Sequence, residues 1–170
     1  MNVFCIPICL ALSFFALSSI DCDAKITSCL CKPYFASIKV SSANLRLGPG
    51  REYKVKIKYT MKGSPVLINA KYDHWRRIVD PDGTEGWLHK NQLSTKRHVM
   101  TIKNDVFLMS GTKEKAKVLA KISKNVTMDL KEIRGNWCKV SCKYNNKKFS
   151  GWVKKSDIFG TFNDELGKCK

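Results

Sequence analysis

Beyond its first two dozen residues, the chain is dominated by short runs in which apolar and polar residues alternate. Val55-Lys-Ile-Lys-Tyr-Thr-Met-Lys62 alternates strictly, setting Val55, Ile57, Tyr59 and Met61 on one face and turning Lys54, Lys56 and Lys58 to solvent. Val126-Thr-Met-Asp-Leu-Lys131 shows the same period. Turn signals interrupt these runs at short intervals: Gly48-Pro-Gly50, Gly63-Ser-Pro65, Pro81-Asp-Gly83, Gly111, Gly135-Asn136 and Asn145-Asn146. Strands of this length and spacing predict small β-barrels. Helical period is confined to the N-terminal leader, with Lys113 to Ala120 readable either way.

The pattern occurs twice, which organises everything else. The first copy holds Asn44-Leu-Arg-Leu-Gly-Pro-Gly50, then Trp75-Arg-Arg-Ile-Val-Asp80, then Gly86-Trp87-Leu-His-Lys-Asn-Gln-Leu93. The second holds Asp105-Val-Phe-Leu-Met-Ser110, Trp137-Cys-Lys-Val-Ser141 and Gly151-Trp152-Val-Lys-Lys-Ser-Asp-Ile158. Ser94 to His98 reads as a short polar linker. Pro81-Asp82-Gly83 predicts a tight first hairpin, and Lys143 to Lys148 a longer second one. The expectation is an all-β protein: a signal peptide over 1–24, an extension over 25–36, barrels over 37–95 and 99–160, and a tail over 161–170. Barrels this small are marginal alone, so an interface between them is expected. Trp75, Trp87, Trp137 and Trp152 are the large pieces expected to fill the two interiors.

Charge and compartment narrow the functional classes. The 170 residues carry 31 Lys+Arg against 14 Asp+Glu, a net +17, which attracts polyanions of any kind. Val3 to Ile20 is almost wholly apolar and is followed by small residues, with Ala24 a plausible cleavage position before Lys25. This predicts export to the periplasm or medium, or a single N-terminal anchor if the leader is retained. Of eight cysteines, Cys5 and Cys9 sit in the leader and Cys22 at its edge. Cys138 and Cys142 lie about 13 Å apart if they share one strand, too far to bridge. An oxidising compartment admits long-range pairs, for example Cys29 or Cys31 with Cys169.

At its motifs the sequence resembles a known family. Asn44 to Gly50 resembles the opening of bacterial SH3-like domains, and Trp75 to Trp87 their distal hairpin. The similarity is closest to a short exported type, common in alphaproteobacteria, with two such domains in tandem. It covers about Pro33 to Glu165, and its second copy has lost the Arg and the Gly-Pro-Gly. The resemblance implies small barrels that bind peptides, often cell-wall peptides, and does not imply catalysis.

The motif residues also have physical readings of their own. Gly48 and Gly50 permit positive φ around a stiff Pro49. Gly86 before Trp87 suggests a bulge or a close approach where the strand bends over the barrel, and Gly151 before Trp152 is the matching motif position in the second copy. Arg46 either forks toward a ligand carboxylate or phosphate, or lies exposed on its strand. With Tyr53 and Tyr72 it forms the expected ligand contact, beside the loop of Gly48 to Tyr53.

Catalytic chemistry is not found. His74, His89 and His98 have no cysteine beside them in the first copy, so no dyad is expected. Cys29-x-Cys31 is too tight for a zinc pair with Cys138 and Cys142, so neither metal nor cofactor is expected. The expected partners are a cell-wall peptide, an anionic envelope polymer or another envelope protein, with a membrane surface also admissible. A small-molecule substrate is not expected, and nucleic acid is disfavoured by the leader and the even spread of lysines.

Overall fold

A computed structural model describes residues 29–113, 115–164 and 167–168. The expected signal helix, and the pairing of Cys29 or Cys31 with Cys169, lie outside the described residues and side chains. The chain is all-β. In order, the strands are β1 (Cys29–Ile38), β2 (Ala43–Arg46), β3 (Val55–Tyr59), β4 (Pro65–Tyr72), β5 (Trp75–Val79), β6 (Glu85–His89) and β7 (Leu93–Ser94). Then come β8 (His98–Thr101), β9 (Val106–Met109), β10 (Val118–Ile122), β11 (Thr127–Arg134), β12 (Trp137–Tyr144), β13 (Lys147–Lys154), β14 (Ile158–Phe159) and β15 (Gly167–Lys168). The first sheet runs β3-β2-β6-β5-β4-β1-β7 and the second β10-β9-β13-β12-β11-β8-β14. Strand for strand, the two orders are the same. The repeat in the sequence is a repeat of topology, and each copy is one small barrel.

Each barrel has its own aliphatic core. The first packs Ala36, Ile38, Ala43, Leu45, Val66, Ile68, Ile78 and Leu88. The second packs Val99, Val106, Leu108, Ile122, Met128, Leu130, Ile133, Cys138, Val140, Val153 and Ile158. The tryptophans are not in these interiors, contrary to expectation. Trp75 and Trp87 form a separate cluster with Ala70, Trp152 is buried outside the second core, and Trp137 is only half-buried. The pleat explains this. Leu88 and Val153 point into the barrels, so their neighbours Trp87 and Trp152 must face the other way.

Other expectations shift for local reasons. The apolar face of β3 is buried only at Tyr59, which packs against the core; Val55, Ile57 and, past the strand, Met61 are exposed on this edge strand, with no further layer over them. Of the expected extension over 25–36, the described residues from Cys29 onward belong to β1, which pairs there with β4 and continues to Ile38, where it meets β7. The tail is partly structural, with β15 on β11 and Phe162 against Phe35. Among the described residues of Lys113 to Ala120, 115–117 form a turn and loop and Val118 opens β10. In the second hairpin the strands are longer but the turn is tighter. Asn145 and Asn146 both take positive φ in a two-residue turn, the conformation that suits the right-handed twist of a hairpin. The first hairpin needs residues 80–84, held by Asp80, which accepts from the backbone N–H groups of Asp82 and Thr84.

The connection between barrels is packed, not a free linker. Ser37 Oγ donates to the Lys96 carbonyl at 2.8 Å, and the Arg97 guanidinium sits 5.8 Å from the Phe35 ring while donating to the Gly160 carbonyl. Phe35 also meets Phe159 edge-on at 5.2 Å. Residues of both barrels therefore close over the junction.

Candidate ligand-binding grooves

In the first barrel, the predicted contact residues turn out to hold one another. Arg46 Nη1 donates to the Tyr53 carbonyl at 2.7 Å, closing the loop between β2 and β3. Gly48 and Gly50 are not in the positive-φ region. The Tyr53 ring fills the space a side chain on Gly48 would need, while Gly50 meets only the carboxylate end of the exposed, flexible Glu52 side chain. The motif with Pro49 between them is thus a self-clasping loop. One guanidinium nitrogen of Arg46 is thereby committed to the loop backbone. Tyr53 remains exposed, and Tyr72, also exposed, stands outside this contact at the end of β4 where it pairs with Trp75. Trp75 is 9% exposed, packed on Ala70 and Trp87, with the His89 imidazole edge-on at 5.4 Å.

Gly86 and Gly151 hold corresponding close approaches. A Cβ on Gly86 would lie 2.8 Å from the Arg46 carbonyl oxygen, and one on Gly151 2.6 Å from that of Met109. This match also aligns the copies: Met109 stands where Arg46 stands, and Leu108 where Leu45 does.

A groove of about 910 Å³ opens on the second barrel, between the β9–β10 hairpin and the turn leading into β12. Phe107, Met109 and Val118 line one side; Asn136, Trp137 and Lys154 line the other. Phe107 and Val118 are more than half exposed, which is costly for apolar side chains unless something covers them. Lys154 Nζ lies 5.9 Å from the centre of the Trp137 ring. Asp105 and Asp157 also line the groove, bound to Lys121 at 3.0 Å and Lys103 at 2.8 Å. An apolar floor and an aromatic wall, rimmed by Asp105, Lys113, Lys154, Lys155 and Asp157, suit a short peptide with polar or charged ends. Of the predicted residues only Trp137 takes part, and sequence reasoning assigned it to the core. The signal for Phe107 and Val118 was present as apolar residues flanking a loop, but periodicity places such residues inward by default.

A second cleft, of about 700 Å³, lies between the barrels. Within it the His98 ring bridges Ser37 Oγ (Nδ1, 2.9 Å) and Asp129 Oδ1 (Nε2, 3.1 Å). This Ser–His–Asp sequence mimics a hydrolase triad. The serine is completely buried and its proton is committed to the Lys96 carbonyl, so it presents no nucleophile. The array is a clasp between barrels. Burial, opposed by the Asp129 carboxylate, holds the His98 pKa below its ordinary value. For Asp129, burial works to raise the pKa, but Lys96 and Lys131 outweigh it and lower it. Burial raises the Cys142 thiol above its usual value, which disfavours the thiolate needed for reactivity. In the first barrel Tyr59 donates to Asp80 at 2.8 Å, and burial with that bond pushes its phenol far up. Among the described residues no cluster of three potential metal ligands occurs.

Compared with known protein families, the chain matches the bacterial SH3 domain twice, over residues 39–95 and 103–160. The chain belongs to this family. Both SH3 domains therefore coincide with the duplicated sheets, and the described chain is a tandem of this binding-module type. Similar solved structures include an NlpC/P60 family protein from Bacillus cereus, at 19% identity over 74% of this chain and 55% of that one, with a TM-score of 0.33. They also include NlpC2 and NlpC1 from Trichomonas vaginalis, each at 8% identity and a TM-score of 0.34. NlpC2 is matched over 80% of this chain and 51% of its own, NlpC1 over 78% and 48%. The chain thus spans about half the length of these structures. No curated protein matches it.

Proposed function

We propose that the chain is an exported SH3 tandem that binds a peptide of the cell envelope, of the peptidoglycan type, in the groove of its second barrel. The observation carrying this reading is the open groove walled by Trp137, with Phe107 and Val118 exposed beside it. Family membership supports a binding role, and the apolar leader at Val3 to Ile20 supports export. A short peptide laid between the hairpin and Trp137 would cover those side chains, and Lys154 would meet its carboxylate.

Titrating a synthetic wall stem peptide into labelled protein tests the site. Shifts should cluster on Phe107, Val118 and Trp137, and Trp137→Ala should weaken binding by about ten-fold or more, as loss of a central aromatic anchor does. Tyr53→Ala should leave it unchanged. Shifts confined to residues 47–54, or full affinity in Trp137→Ala, would sink the assignment. Fractionation with the mass of the mature N-terminus tests export; an intact Met1 in cytoplasm contradicts it.

A second reading has its own support. The exposed apolar residues Val55, Ile57 and Met61 follow the unpaired edge of β3, a surface suited to a protein partner in the envelope. Crosslinking in cells from position 57 should then recover one stoichiometric protein.

A further inference from the structure

The cleft between the barrels shares no lining residue with the peptide groove and is walled by lysines, with a single acid and no Phe, Tyr or Trp. Lys39 and Lys62 reach it from the first barrel, Lys96 and His98 from the connection, and Lys143 and Lys148 from the second barrel. Its one acid, Asp129, is already held by Lys96 at 2.9 Å, His98 at 3.1 Å and Lys131 at 3.4 Å. Lys39, Lys62, Lys143 and Lys148 have no acidic partner among the described residues, and all four are exposed.

Their placement is unfavourable without an anion. Lys143 and Lys148 are direct cross-strand partners on β12 and β13, where like charges repel. Lys62 precedes Gly63, whose φ of +89° carries the first-barrel turn against His98 and Thr127. The junction thus fixes first-barrel cations toward second-barrel cations across a concave, solvent-filled space. Such walls focus positive potential in the gap.

The lining also limits the ligand. It contains no Phe, Tyr or Trp, and its one ring, the largely covered His98 imidazole, is held at both nitrogens by Ser37 and Asp129, so the cleft offers no open platform on which nucleobases could stack. Lysine serves phosphate as a mobile point charge and does not require the planar fork that arginine makes. We infer that the inter-barrel cleft binds a linear phosphate-bearing polymer without bases, threaded between Lys39 and Lys62 on one barrel and Lys143 and Lys148 on the other. The tandem arrangement is then a condition of binding, because neither barrel alone supplies both walls.

The test uses the full chain with inorganic polyphosphate, titrated over a range of salt. The double variant Lys143→Glu/Lys148→Glu and the single variant Lys62→Glu should each lose affinity, the double by about ten-fold or more. The affinity should fall with salt at a log–log slope of about −2 to −3, that of three or four phosphate contacts on a single strand. The control, Lys56→Glu/Lys58→Glu, makes the same charge change as the double variant on β3, away from the cleft, and should lose far less. Lys143→Gln/Lys148→Gln, with an unchanged melting curve, separates lost contact from lost folding, and should also weaken binding. Trp137→Ala should bind polyphosphate normally, which keeps this site apart from the peptide groove. Equal losses in the β3 control would reduce the effect to diffuse charge and overturn the inference. So would an oligothymidylate of matched charge binding more tightly through the same lysines.

Discussion

The two barrels share one strand order yet treat the same surface in opposite ways. In the first, Ala70, Trp75 and Trp87 form an apolar cluster. Matching the registers of the two sheets, the equivalent positions in the second are Glu132, Trp137 and Trp152. Glu132 is paired with Arg134 at 2.7 Å, and the Arg134 guanidinium, together with Lys139, sits over Trp152 instead of a second indole. Replacing Ala70 by an acid removes the apolar surface on which Trp75 rests, so Trp137 stays half-buried and becomes a wall. The barrel that keeps the recognisable opening motif spends it on its own loop. The barrel that has lost the motif carries a groove. Motif retention and an open site are therefore separable within one chain, since the motif's Gly48 answers to local packing and the groove depends on which side chains cover Trp137.

The difference can be broken most directly at the paired tryptophans. Trp75→Ala should cost about 3–5 kcal/mol of stability, the ordinary penalty for emptying a buried aromatic site. Trp137→Ala should cost only about 1 kcal/mol, near the average for point substitutions. Thermal and denaturant unfolding measure both; equal losses would mean that Trp137 is as much a core residue as Trp75. The next largest effects are expected where the copies agree. Gly86→Ala and Gly151→Ala should each destabilise by about 1–3 kcal/mol, because the added methyl meets a carbonyl oxygen and a leucine of the neighbouring strand. Similar losses sharpen the claim that the two barrels are built alike; a tolerated alanine at Gly151 would show that the second sheet has relaxed.

The smallest effect concerns the junction. His98 has a lowered pKa in the folded chain, so folding disfavours its protonated form. Its stabilising contribution is complete above the unfolded value near 6.5 and is lost as pH falls through the lower folded value. Melting temperature should thus drop on acidification through the range just below neutrality, and His98→Gln should flatten that slope. An unchanged slope in the variant would remove His98 from the coupling between barrels.

Much of the architecture was readable before any coordinates. Alternation, turn residues and the two Gly-Trp strands predicted all-β domains in tandem, because strand period and turn chemistry are local properties. The candidate site was far less accessible. Chemistry and motif position point to Tyr53, Tyr72 and Arg46, but Arg46 is engaged with the Tyr53 backbone, and nothing local in Phe107 or Val118 distinguishes a groove residue from a core residue. The strict alternation of β3 misled for a related reason. Period assigns faces to a strand without saying whether another layer lies over either of them.

What the sequence determined by itself was each barrel: its strands, its turns and the small residues at Gly86 and Gly151 that let strands close on one another. Only the tertiary structure decided which tryptophan is covered, that Ser37, His98 and Asp129 form a clasp, and that lysines from distant segments face a common cleft. Those outcomes depend on contacts between residues some sixty positions or more apart in many cases, as with Ser37 and Lys96. Their free energy comes from burial and charge brought together in space, for which chain order carries no direct signal.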